Sequence, residues 1–105
     1  MVKLQTDGFD WDAGNREKCR KHGVSEQEIA EIFDRNVAVF PDLAHSTGEQ
    51  RFHAVGRNAK GRYVFLVFTL RYSSESTLIR PISARYMHQK EIQRYEEDFS
   101  HTHQR

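Results

Sequence analysis

The chain has little of several features that would mark particular protein classes. It contains one cysteine, which cannot form an internal disulfide and which no zinc-binding pattern surrounds, so we expect a reducing compartment. No stretch approaches the ~20 apolar residues of a membrane span, and residues 1–10 lack the apolar run of a signal peptide. We therefore expect a cytoplasmic protein that does not associate with membranes.

An excess of either charge is also missing. Sixteen Lys and Arg against fifteen Asp and Glu leave a formal net charge of +1. This balance excludes a highly charged tail protein and argues against a strongly basic nucleic-acid binder. The 105 residues, 37% of them hydrophobic and 11% aromatic, are sufficient for one core. We therefore expect residues 1–105 to form a single domain.

The average charge hides a gradient along the chain. Residues 1–50 contain ten acidic and six basic side chains, whereas residues 51–105 contain ten basic and five acidic ones. Within this second half, residues 51–90 have eight basic side chains and one acidic. Most of the basic ones are arginines, which present a planar fork of donors to phosphate. The alternative is that these charges are scattered and only keep the protein soluble.

The N-terminal part of the chain predicts two helices. Asp12 can cap a first helix that ends near Lys21, and Gly23 follows where a left-handed C-terminal cap is expected. Ser25 opens a capping box, and the apolar spacing that follows predicts a second helix ending near Arg35.

From residue 36 onward the pattern is typical of strands. We expect strands at about 37–40, 50–56, 62–71 and 77–85, then a helix at about 87–98 and a polar tail at about 100–105. Pro41 is expected to stop the first strand, and Pro81 suggests an edge position or a bulge in the fourth. The prediction is an α+β fold with two N-terminal helices, a four-stranded antiparallel sheet and a C-terminal helix, the helices covering one face.

Alternation along these strands indicates how basic groups can gather. Arg51 and His53 share one face, whereas Arg80 and Arg85 lie on opposite faces of a regular strand unless a bulge at Pro81 changes their parity. Arginines crowd only at a cost unless an anion neutralises them, so clustering would favour phosphate binding. The alternative is that each arginine solvates the outer face of a one-sided sheet.

Short motifs follow one another in a specific order over about residues 9–97. They are FDWD at 9–12, RKHGVS at 20–25, GEQR at 48–51, GR at 61–62, TLR at 69–71, ISAR at 82–85, Glu91 and Tyr95-Glu96. In this order and spacing they resemble the BrnT family of toxins. A single piece such as GEQR would be a weak signal, but the ordered set is specific.

The resemblance implies a RelE-like fold and a metal-independent ribonuclease that cleaves RNA and arrests translation and growth. It also implies a BrnA-like antitoxin with a ribbon-helix-helix domain. Toxin and antitoxin are then expected to form a heterotetramer that represses its own operon and binds operator DNA only through the antitoxin. No cofactor and no metal are implied.

The resemblance assigns catalytic roles to residues that match the motifs. Lys21 and His22 match a Lys-His-Gly element, so His22 would act as general acid or base while Lys21 holds phosphate or assists proton transfer. Taken alone, His22 is better explained as a cation at a helix C-terminus. Glu49 and Arg51 match a Gly-Glu-x-Arg element, in which Arg51 would clamp the scissile phosphate and Glu49 would orient it or act as base. Alternatively they form an exposed ion pair worth under ~1 kcal/mol.

Further residues would stabilise the transition state or bind the RNA. Arg71 and Arg85 match the Thr-x-Arg and Ile-Ser-Ala-Arg elements and would stabilise the pentavalent phosphate as the RNA 2′-hydroxyl attacks it. Arg80 would add to phosphate binding, and Tyr86 would stack on a base unless it is a core or lid aromatic. Thr69 would contact substrate unless its hydroxyl is structural.

Two other functions stay open on the sequence alone. The basic face could belong to a non-catalytic module that receives an acidic segment of a partner protein. The chain could also be a nucleic-acid-binding regulator that acts alone, although no recognition-helix motif supports this reading. The remaining histidines are scattered along the sequence and suggest no metal site.

Overall fold

The computed structural model describes residues 6–45 and 48–103, with side chains as far as Asp98. The elements in chain order are β1 (Gly8–Phe9), α1 (Ala13–Arg20), α2 (Glu26–Phe33), β2 (Ala38–Asp42), β3 (Arg51–Arg57), β4 (Tyr63–Ser73), β5 (Ser76–Tyr86) and α3 (Gln89–His103). The α+β class is as predicted. Among the described residues, no helix is both long and apolar enough to cross a bilayer.

Both N-terminal helices begin at the predicted caps. The Asp12 carboxylate accepts from the Asn15 backbone N–H at 2.9 Å, and the Asn15 side chain accepts in return from the Asp12 N–H at 2.7 Å. Ser25 and Glu28 form the same reciprocal pair at the start of α2. Each pair satisfies two backbone donors that a helix start leaves free. Gly23 has a φ of 86°, the left-handed conformation that lets the chain turn sharply between α1 and α2.

The sheet has five strands in the order β1-β5-β4-β3-β2. Its four longer strands are antiparallel, as predicted, but β1 pairs in parallel with β5. The prediction of a four-stranded antiparallel sheet was therefore incomplete. A strand of two residues shows no alternation, and its partner lies about 70 residues further along the chain, so nothing local reveals it.

Both prolines in the sheet are accommodated by the backbone around them. The predicted end of the first long strand at Pro41 was wrong, because β2 continues to Asp42. As β2 is an edge strand, a residue without an N–H is tolerated there. Pro81 lies next to a bulge: Val67 pairs with Ser83 and Phe68 with Pro81, which leaves Ile82 as the extra residue of β5.

The core lies between the sheet and helices α1 and α2. Phe68 is fully buried at its centre, stacked on Phe52 with ring centroids 5.4 Å apart and edge-on to Phe33 at 5.9 Å. On β3, a Cβ added at Gly56 would lie 2.8 Å from the Cβ of Ile32, so the absence of a side chain lets α2 pack directly on the sheet. Cys19 of α1 is also buried, and burial raises the pKa of its thiol to about 11.

Helix α3 lies against the opposite face of the sheet, so the prediction that all helices cover one face was wrong. Tyr95 packs edge-on against Tyr63 with centroids 5.8 Å apart, and Glu96 pairs with Arg57 at 3.3 Å. Both partners have the strand parity of the face turned away from α1 and α2. The helix also extends to His103, through part of the predicted polar tail, while residues 104–105 lie outside the described residues.

Candidate functional site

The face of the sheet turned away from α1 and α2, here called the outer face, collects the basic side chains. The bulge at Ile82 determines which side chains of β5 point to this face. Arg80 pairs with Thr69 and Arg85 with Phe65, and these partners lie four residues apart on β4, so they point to the same face. Arg80 and Arg85 therefore share the outer face. The regular-strand prediction of opposite faces was wrong, and the bulged alternative is confirmed.

Carboxylates of the same chain hold two of these arginines at the β1 side of the face. Arg80 binds Asp12 at 2.6 Å and Asp10 at 3.3 Å, and these contacts, the one to Asp12 above all, raise the pKa of its guanidinium. Arg71 pairs with Glu49, and its Nε lies 4.0 Å from Asp10. Asp10 thus stands between the two arginines and offsets their mutual repulsion.

Arg85 is held by α3. Its two terminal nitrogens bind the two Glu91 oxygens at 2.7 and 2.8 Å, and its guanidinium lies 4.7 Å from the centre of the Phe65 ring. These hydrogen bonds, together with one from the His88 backbone N–H, lower the pKa of Glu91 to about 2. A bidentate pair on an aromatic ring fixes the plane of the guanidinium.

Two further predicted residues occupy the same face with different exposure. Arg51 is exposed and lies between Asp42 of β2 and Thr69 of β4 in the strand register. Thr69 is only 2% exposed, and its hydroxyl donates to the Gln50 carbonyl at 2.8 Å. This hydrogen bond favours the alternative in which Thr69 is structural.

The predicted residues Lys21 and His22 lie elsewhere. They follow α1, beside Tyr86, whose hydroxyl is 3.3 Å from the Gly23 carbonyl oxygen. Tyr86 pairs with Val64, and Arg71 lies seven residues further along β4, about 23 Å away at ~3.3 Å per residue. The structure therefore separates the Lys-His-Gly element from the Glu49–Arg71 pair. The ring of Tyr86 is itself covered by the Arg62 guanidinium, 3.5 Å from its centre.

Tyr86 also connects β5 to α2 through Glu28. The Glu28 carboxylate accepts from the Tyr86 hydroxyl at 2.6 Å, from the Asn58 amide at 2.9 Å and from the Ser25 N–H at 3.0 Å. Burial alone would raise the pKa of Glu28, but these hydrogen bonds outweigh it and lower the pKa to about 2. Glu28 therefore stabilises the fold only while it is ionised.

Acid should weaken the fold through this carboxylate. Its pKa is about 2 in the folded chain and near 4.5 when unfolded, so its stabilising effect is complete above pH 4.5 and is lost as the pH falls towards 2. Glu28→Ala is expected to destabilise the protein by about 2 kcal/mol at pH 7 and to have a smaller effect at pH 2.5. Urea denaturation of both proteins at the two pH values measures this. An equal loss at both would contradict the assignment.

A pair that the sequence did not predict lies on β2 and β3. Asp42, 7% exposed, accepts from His53 Nε2 at 3.0 Å and lies 3.2 Å from His45 Nδ1. Burial alone would raise the pKa of Asp42, but the hydrogen bonds and charges of the two histidines hold it below its ordinary value. Because Pro41 was expected to stop the first strand, Asp42 fell outside the predicted strand. Extending the strand by two residues would have placed Asp42 beside the His53 face.

Within residues 6–45 and 48–98, no group of three or more His, Cys, Asp and Glu side chains is arranged to hold a metal ion.

No curated protein matches the chain. A family model described as "Ribonuclease toxin, BrnT, of type II toxin-antitoxin system" matches residues 11–91, from before α1 into α3. This match covers well over half of the chain and includes Arg71, Arg80 and Arg85, so the chain belongs to the BrnT family of ribonuclease toxins of type II toxin-antitoxin systems.

Proposed function

We propose that the outer face binds single-stranded RNA and that the chain cleaves it by attack of a 2′-hydroxyl on the adjacent phosphate. The observation that carries this proposal is the placement of Arg71, Arg80 and Arg85 on one face, each held by a carboxylate of the same chain. An arginine that is already oriented stabilises developing phosphate charge without first being ordered.

The remaining predicted residues fit this proposal in different ways. Arg51 pairs with Thr69, which pairs in turn with Arg80, so Arg51 supplies another donor to the phosphate. Glu49 orients Arg71. Lys21 and His22 lie at the Tyr86 end, on the helix side of the sheet, so RNA on the outer face would have to pass around that end to reach them, and their part in proton transfer stays a prediction. Arginines supply the positive charge in this mechanism, so we propose that cleavage needs no metal ion.

A type II toxin has a protein antitoxin, and we propose that this one is BrnA-like with a ribbon-helix-helix domain. The arginine-bearing outer face would receive an acidic segment of the antitoxin, which would compete with RNA for the same donors. The pair would form a heterotetramer in the cytoplasm and repress its own operon, while free toxin would arrest translation and growth. A neighbouring reading frame that encodes a short ribbon-helix-helix protein would support this partner.

Cleavage by the purified chain in EDTA tests the chemistry. We expect products with 2′,3′-cyclic phosphate and 5′-hydroxyl ends, and no cleavage of an RNA in which the 2′-hydroxyl at the cut site is replaced by hydrogen. Induced expression should arrest bacterial growth. Cleavage that requires Mg²⁺, or that continues without the 2′-hydroxyl, would contradict the mechanism.

Single replacements of Arg51, Arg71 and Arg85 distinguish a ribonuclease from a binding module. Lost cleavage and toxicity with unchanged antitoxin binding would support catalysis. If all three variants bind antitoxin poorly while the wild-type chain cleaves nothing, the outer face only binds protein. Salt-dependent promoter binding by the chain alone would instead indicate a regulator.

A further inference from the structure

We propose that His53 is the general base of this cleavage, taking the proton of the attacking 2′-hydroxyl, and that Asp42 is its positioning residue. The inference rests on the proposed RNA cleavage and names the group that moves the proton. Neither residue was assigned a role from the sequence.

The contact with Asp42 fixes which nitrogen of His53 is basic. An ionised carboxylate only accepts hydrogen bonds, so Nε2, 3.0 Å from the Asp42 oxygen, carries the proton of the neutral ring. Nδ1 then carries the lone pair. Among the residues whose side chains are described, none hydrogen-bonds Nδ1, and the side chain keeps 32% of its exposure.

His53 lies in the middle of the outer face, between the rows of arginines. It pairs across β4 with Val67, which pairs in turn with Ser83. Two residues away along the strands in one direction, Arg51, Thr69 and Arg80 lie side by side. Two residues away in the other direction, Phe65 lies beside Arg85.

One aromatic ring connects His53 to the phosphate-binding group. The His53 ring lies 4.9 Å from the centre of Phe65, and the Arg85 guanidinium lies 4.7 Å from the same centre. The two groups are therefore separated by no more than the sum of these distances, and in the proposed complex a phosphodiester bound by Arg85 spans that gap with its 2′-hydroxyl towards the imidazole. Arg85 and His53 thus supply charge stabilisation and proton transfer at one place.

The other candidates for the base are less well placed. Glu49, Asp12 and Glu91 are each bound to an arginine, and their hydrogen bonds lower the pKa of Asp12 and of Glu91, which makes both weak bases. His22 lies at the Tyr86 end, on the helix side of the sheet. The charged groups around His53 are Asp42 and His45 from β2 and its loop, Arg51 on its own strand, and Arg85 across Phe65.

The step balances without an external reagent. His53 Nδ1 takes the 2′-hydroxyl proton as the 2′-oxygen forms a bond to phosphorus. The bond from phosphorus to the 5′-oxygen breaks, and that oxygen leaves with a proton from water. The products are a 2′,3′-cyclic phosphate and a 5′-hydroxyl, and His53 returns its proton to water.

His53→Gln tests the proposal against His45→Gln. Both histidines contact Asp42, but His45 is 70% exposed and lies in the loop after β2, whereas His53 lies on β3 against Phe65. In single-turnover cleavage, His53→Gln is expected to lose about 10²-fold in rate, whereas His45→Gln keeps the wild-type rate. Binding of an uncleavable 2′-deoxy analogue should be unchanged in both. Because Asp42 keeps His45 as a partner, His53→Gln is expected to remain folded.

Three readouts separate proton transfer from a structural role. The wild-type rate should rise with pH as histidine loses its proton, and this rise should disappear in His53→Gln. Added imidazole should restore cleavage in His53→Ala, a smaller variant that opens space beside Phe65. Asp42→Asn should lower the rate about tenfold and move the midpoint of the pH profile, because the ring loses its charged partner.

The outcomes distinguish this proposal from the one on which it rests. Wild-type cleavage with an undiminished rate and pH profile in His53→Gln overturns the role of His53 alone. A loss of rate that matches a loss of RNA affinity, with no rescue by imidazole, assigns His53 to binding and also overturns it. Absence of cleavage by the wild-type chain overturns both proposals.

Discussion

Replacing Arg85 by glutamine is expected to lower the rate of RNA cleavage about 10³-fold, because it removes an oriented cation from the developing phosphate charge. The guanidinium of Arg85 contacts the same Phe65 ring as His53, and its plane is fixed by both oxygens of Glu91. The loss should fall mainly on the chemical step, since in the proposed complex ground-state RNA would keep its contacts with Arg51, Arg71 and Arg80. Single-turnover rates at saturating RNA measure it.

Arg57→Gln is the matched control. Arg57 also lies 4.7 Å from the centre of an aromatic ring, that of Tyr63, and also pairs with a carboxylate of α3, Glu96. Both substitutions therefore remove one charge and one contact that anchors α3, but Arg57 is at the end of the outer face, away from His53. We expect Arg57→Gln to cleave at close to the wild-type rate. Equal losses in the two variants would show that docking of α3, rather than phosphate stabilisation, explains the effect.

Replacing Phe68 by alanine is expected to reduce the free energy of unfolding by about 3–5 kcal/mol. Phe68 is fully buried, and its ring contacts both Phe52 on the neighbouring strand and Phe33 at the end of α2. Its removal leaves a cavity where α2 meets the sheet. For a domain whose total stability is about 5–15 kcal/mol, such a loss is a large fraction of the total, and at the low end of that range it would unfold much of the population at 37 °C. Urea denaturation followed by circular dichroism measures it.

Tyr72→Ala provides the comparison on the same strand. Tyr72 is an aromatic residue of β4 but is 77% exposed, so its removal takes little apolar surface out of the core. We expect a change within about 0.5 kcal/mol. A similar loss in both variants would mean that strand propensity, and not core packing, determines the effect of Phe68.

What could be predicted from the sequence depended on local interactions. The two capping boxes are satisfied within four residues, so Asp12 and Ser25 identified the helix starts without any knowledge of the fold. The shared face of Arg51 and His53 followed from alternation in an uninterrupted strand. These predictions are confirmed because each depends only on residues that are close together in the sequence.

The features that could not be predicted depend on pairing between residues that are far apart in the sequence. Arg80 and Arg85 are five residues apart, and whether they share a face depends on where β4 and β5 slip in register. Pro81 indicated an edge or a bulge without deciding between them. Likewise the family motifs contain Asp10, Asp12 and Glu91, but only the tertiary structure shows that these carboxylates hold arginines.

The internal carboxylate partners also set how the protein should respond to ionic strength. A bare cluster of cations binds nucleic acid largely by releasing ions condensed on the phosphates, which makes affinity fall steeply with salt. Here Asp10, Asp12, Glu49 and Glu91 already neutralise much of the positive charge of Arg71, Arg80 and Arg85, so a phosphate in the proposed complex meets little net positive charge. RNA affinity should therefore change little between low and physiological salt, and the outer face should bind only weakly to polyanions that do not fit its geometry.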